Sequence, residues 1–108
     1  MATLIPAVGD PRPIEPAHPP AFTLQELHAL VGGYIEVVYT RLRIADPDVA
    51  LVLVINADSK RLQLPVNGFA THLVRDDIRP DDVINGDAVV CTLIEMGETD
   101  DELDDDGT

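Results

Sequence analysis

A chain of 108 residues, 45% of them apolar, has the length of one domain and the composition of a folded globule rather than a disordered chain. No stretch approaches the roughly 20 apolar residues of a membrane span, and a single cysteine, Cys91, excludes an internal disulfide framework and fits a reducing cytoplasm. The net charge of −13 is uneven: residues 95–108 hold eight acids and no base, whereas the other 94 residues hold 12 acids and 7 bases. Direct nucleic-acid binding is thereby disfavoured, because counterion release needs clustered Lys and Arg.

Residues 3–8 (TLIPAV) read as a short first strand, which Pro6 confines to an edge. Residues 10–21 hold five prolines and read as an extended connection. A helix then begins at Thr23-x-x-Glu26, a capping box in which hydroxyl and carboxylate each accept the other residue's amide. Leu24, Leu27, Leu30 and Val31 share one face, and Gly32-Gly33 end the helix. Residues 34–42 (YIEVVYTRL) are rich in strand formers, with Tyr34, Glu36, Val38 and Thr40 on one side. Residues 45–48 (ADPD) read as a turn. Residues 49–55 are apolar at every position, as in a central strand covered on both faces. Residues 56–60 (NADSK) turn the chain, and residues 61–64 (RLQL) are expected to return as a hairpin partner. Asn67 is placed to cap a short helix over residues 68–74, and residues 87–94 form the last strand.

The expected fold is α+β: a mostly antiparallel sheet of four to five strands, with one main helix and one short helix on one face. Residues 1–95 form this single domain, and residues 96–108 are expected to be a disordered acidic tail. A sheet face left bare by the helices would need polar cover or a partner, which makes a homodimer one expectation.

Three segments carry a resemblance: VGGYIEVV at 31–38, VLVINADSKRLQLPVNGFAT at 52–71 and DDVINGDAVV at 81–90. In that order, the chain over residues 22–94 resembles a family of small phage, plasmid and bacterial proteins of unknown function. The resemblance implies an accessory protein of a mobile element and no known enzyme. No paired carboxylates, metal-ligand cluster or activated nucleophile is readable, so no catalysis, metal or cofactor is expected.

Candidate binding residues are Gly33, Glu36, Arg41, Asn56, Asn67 and Thr71, with Arg43 and Arg61 as further charges. Each also has a bland reading. Gly33 ends a helix; Asn56 and Asn67 serve a turn and a cap; Cys91 is a small buried hydrophobe. Glu36 is an exposed strand residue or, if it faces a cleft, the best single acceptor for a ligand. The readings left open are a binding protein for a host protein, a sequestering protein for a small nucleotide-like signal, and an acidic nucleic-acid mimic acting through the tail. All three place the protein in the cytoplasm, away from membranes.

Overall fold

The structure, a computed structural model, describes residues 2–44 and 49–97. The turn expected at residues 45–48 and the acidic run from residue 98 onward lie outside the described residues.

Five strands form one antiparallel sheet: β1 (Ala2–Ile5), β2 (Arg12–Ile14), β3 (Ile35–Ile44), β4 (Val49–Asn56) and β5 (Ala88–Thr92). Their order across the sheet is β2-β1-β5-β4-β3. Three helices complete the described chain: α1 (Leu24–Val31), α2 (Gly68–Leu73) and α3 (Leu93–Met96). The α+β class and the antiparallel sheet are those expected from the sequence.

Strand β4 is flanked by β5 and β3, and its side chains alternate between two cores. Val52 and Val54 point with Val89 and Cys91 toward Leu27 and Val31 of α1 and Met96 of α3. Leu53 and Ile55 point with Ala88 toward Ala70 of α2, Val74 and Ile84. The main helix and the short helix thus lie on opposite faces, not on the one face expected. An apolar residue at every position of β4 requires this, since each fully buried Val or Leu contributes about 1.5–3 kcal/mol only if its own side is covered. The second face is covered by α2 and the segment that follows it. The bare sheet face that suggested a homodimer is therefore not present among the described residues.

Local chemistry explains most boundaries. The Thr23 hydroxyl accepts the Glu26 amide at 3.1 Å, and the Glu26 carboxylate accepts the Thr23 amide at 2.7 Å. A second carboxylate oxygen of Glu26 accepts the Ala17 amide at 2.8 Å, which ties the proline-rich segment to α1. Gly32 closes α1 in the left-handed region, at φ 84°. The proline-rich connection contains β2, where Pro13 pairs opposite Thr3 at the outer edge of the sheet. An edge position tolerates proline because one side of the strand donates to nothing.

Residues 61–64 are not a strand. Residues 57–63 wind into a turn, and only Val66 makes an isolated bridge, to Asn85. The last strand stops at Thr92, where a second capping box starts α3: the Thr92 hydroxyl accepts the Glu95 amide at 3.1 Å, and the Glu95 carboxylate accepts the Thr92 amide at 2.9 Å. Met96 is fully buried, so the packed domain runs past the expected boundary at residue 95.

Candidate functional site

The side chains expected to bind fall into separate places. Gly33 and Asn56 meet where α1 ends beside β4. Asn56 is buried; its Nδ2 donates to the Val31 carbonyl at 3.1 Å and its Oδ1 accepts the Asp58 amide at 2.7 Å. A methyl group at Gly33 would stand 3.0 Å from that Nδ2, so the glycine is there for close approach. Both residues act inside the fold.

Asn67 and Thr71 form the second place. Asn67 caps α2 by accepting the Ala70 amide at 3.0 Å, while its Nδ2 donates to the Ile5 carbonyl at 2.8 Å and the Gly86 carbonyl at 2.9 Å. The Thr71 hydroxyl donates to the Asn67 carbonyl and accepts the Ile84 amide, both at 2.8 Å. The Asn67 side chain thus joins β1, α2 and the entry to β5.

Arg41 stands at an irregularity of β3. Between Tyr39 and Arg43 the register against β4 shifts, so four positions on β3 span two on β4. The Thr40 hydroxyl bridges the gap, donating to the Leu51 carbonyl at 2.8 Å and accepting the Leu42 amide at 3.0 Å. The nearly buried Asp77 carboxylate accepts the Arg41 amide at 3.0 Å and lies 3.6 Å from its guanidinium. Arg41 therefore anchors the bulge. Arg43 is exposed on the same strand.

Glu36 is different. It is exposed on β3 and lines a cleft of about 210 Å³ between that strand, the 57–61 turn and the 78–84 segment. Of the residues expected to bind, only Glu36 and Arg61 line this cleft; Gly33, Arg41, Asn56, Asn67 and Thr71 do not. Val38, Ile55, Ile78 and Ile84 supply apolar wall, and all four belong to or pack on the α2-side core.

The turn that forms one wall is built from its own hydrogen bonds. Asn56 starts it, and a 6→1 bond from the Leu64 amide to the Ser59 carbonyl, with a second from the Gln63 amide to the Lys60 carbonyl, both 3.0 Å, close it. This is a Schellman pattern in which Gln63, at φ 56°, occupies the left-handed position usually given to glycine. Lys60 reaches across the cleft as a staple: its Nζ donates to the Val83 carbonyl at 2.7 Å and to Asn85 Oδ1 at 2.9 Å, and pairs with Asp82 at 2.8 Å. The hydrogen bond from Lys60, with that from the Val83 amide, holds the Asp82 carboxyl below its ordinary value. Arg61 pairs with Asp58 at 3.1 Å.

Ser59, Lys60 and Asp82 are not legible in the sequence as cleft residues. Ser59 is only 5% exposed, and its hydroxyl forms no hydrogen bond with another described residue. Glu36 likewise makes no hydrogen bond or ion pair among the described residues.

Cys91 is fully buried, and burial, with the Glu95 charge adding to it, pushes its thiol up to about 12. It is a packing residue, not a nucleophile. No group of three or more His, Cys, Asp or Glu among the described residues is arranged to hold a metal ion. No helix among them is long and apolar enough to cross a membrane.

A family model described as a domain of unknown function, DUF3846, matches residues 3–107. No curated protein and no solved structure matches the chain.

Proposed function

We propose that this chain, which belongs to the DUF3846 family, is a non-enzymatic accessory protein that binds a host protein through its folded surface. The observation that carries the reading is the placement of its aromatic rings. The chain has four, and three are on the outside: Tyr34 is 74% exposed, Tyr39 60% and Phe69 55%. Only Phe22 is in the core. A protein whose core is short of large side chains keeps its rings at the surface at a cost in burial, and surface aromatics are the residues most enriched at protein–protein contacts. The phage or mobile-element setting is what the resemblance carried by the three segments quoted above implies.

Sequestration of a nucleotide-like signal draws less support. Four of the residues it would use, Gly33, Asn56, Asn67 and Thr71, are engaged within the fold, and the cleft beside Glu36 is smaller than the roughly 300–1,000 Å³ of ordinary small-molecule sites. The mimic reading rests on the tail at residues 96–108, of which residues 98–108 lie outside the described part.

The test is capture from an extract of the protein's own host, with crosslinking and mass spectrometry. The wild type retains a stoichiometric host protein, and a variant combining Tyr34→Ala, Tyr39→Ala and Phe69→Ala loses it while keeping its circular dichroism spectrum. A wild type that retains nothing, or a triple variant that binds as well, overturns the proposal.

A further inference from the structure

We propose that the cleft beside Glu36 receives a single basic side chain, lysine or arginine, from the protein partner, with Glu36 and Ser59 as its two polar contacts. The proposal rests on the binding-protein reading and deepens it by naming the chemistry that the partner must present.

The rim carries five charges, and four of them cancel: Lys60 is paired with Asp82, and Arg61 with Asp58. All three donors of Lys60 are already occupied, by Asp82, the Val83 carbonyl and Asn85. An anion entering the cleft therefore finds no free ammonium. Glu36 is the charge left over, a carboxylate with no partner among the described residues. Ser59 adds the second signal. A residue that is only 5% exposed normally has its hydroxyl partnered, because leaving it unpaired costs about 1–3 kcal/mol. Here nothing among the described residues supplies a partner, on a residue that lines the cleft.

An occupant must thus bring a positive charge, several N–H donors and an apolar stem. The stem would lie on Val38, Ile55, Ile78 and Ile84, and the charged head would meet Glu36. At about 210 Å³ the cleft has room for one side chain, not for a drug-sized ligand. The strongly negative chain steers a basic partner toward it at long range.

The experiment is an amide NMR titration of the full chain with four probes: N-acetyl-lysine methylamide, the arginine analogue, the neutral norleucine analogue and inorganic phosphate. Saturable shifts at Glu36, Ile55 and Ser59 with the lysine or arginine probe alone are expected. Glu36→Gln should weaken that binding at least about tenfold, and Ser59→Ala should weaken it by a smaller factor. Neither substitution removes a side-chain hydrogen bond of the fold, so loss of binding is not loss of structure. Equal binding of norleucine overturns the charge argument, preferential phosphate binding reverses its sign, and no saturation with any probe removes the site. The titration needs no partner, so it fails separately from the capture experiment. Basic-probe binding without host-protein capture sinks the binding-protein reading and the named source, whereas capture with a silent cleft sinks only the cleft assignment.

Discussion

Removing the Asn67 side chain tests whether this residue belongs to the fold or to a binding site. Asn67→Ala deletes one acceptor and two donor arms at a position that is 1% exposed. Loss of the α2 cap costs about 1 kcal/mol. The Ile5 and Gly86 carbonyls each lose a buried donor, at about 1–3 kcal/mol apiece. Some relaxation will recover part of this, giving a net loss of about 3–5 kcal/mol, which is a large share of the roughly 5–15 kcal/mol expected of a domain this size. The assay is urea unfolding, read as a fall in midpoint at constant m, and the melting temperature should drop by roughly 15–25 °C. Asn67→Asp keeps the acceptor for the Ala70 amide but turns an oxygen toward the two carbonyls, so it should be no better than alanine. A loss below about 1 kcal/mol for Asn67→Ala, or near-wild-type stability for Asn67→Asp, would refute the reasoning and return Asn67 to the candidate binding residues.

Three further outcomes follow from the local chemistry. Gln63→Gly should stabilise the protein by about 0.5–1 kcal/mol in the same assay, because relief of the left-handed penalty exceeds the added freedom of the unfolded chain. The Glu95 carboxyl titrates below its ordinary 4.5: burial works to raise it, and hydrogen bonds, that from the Thr92 amide among them, outweigh burial. A depressed folded value means a stabilising contribution that is present above about pH 4.5 and is lost as the pH falls through the folded value. Acid unfolding of Glu95→Gln should therefore be less steep below pH 4.5 than that of wild type. Cys91 should resist thiol reagents at pH 8 in the native state and react at the rate of global opening, so fast labelling of the folded protein would contradict its burial.

Where the sequence speaks plainly, it does so through short-range chemistry. Thr23 and Glu26 announce α1 because a capping box needs two residues three apart and nothing else. The same box at Thr92 and Glu95 is hard to read because it opens onto an acidic run, in which one more glutamate carries no contrast. Strand β2 is hidden by its proline, which an edge strand accepts and an inner strand does not. The alternation in residues 61–64 imitates a strand, but four residues cannot outweigh a turn closed by its own backbone and held by a lysine staple. The candidate site is half legible. Period-two alternation sets the face of Glu36, whereas the cleft in front of it depends on where the 57–61 turn and the 78–84 segment come to rest. Ser59, a serine in a polar turn, gives no sign that folding will bury it.

The strand order has a consequence for synthesis. Among the described strands β5 is made last, yet it occupies the middle of the sheet, with Thr3 paired to Val90 on one side and Leu53 to Val90 on the other. Until β5 is present, the inner edges of β1 and β4 have no strand to pair with. The sheet joins when residues 88–92 arrive, and the Asn67 bridge to Ile5 and Gly86 can close only then. Shortened copies that lack β5 are therefore not smaller versions of the protein. They carry open strand edges, which are templates for pairing with other chains.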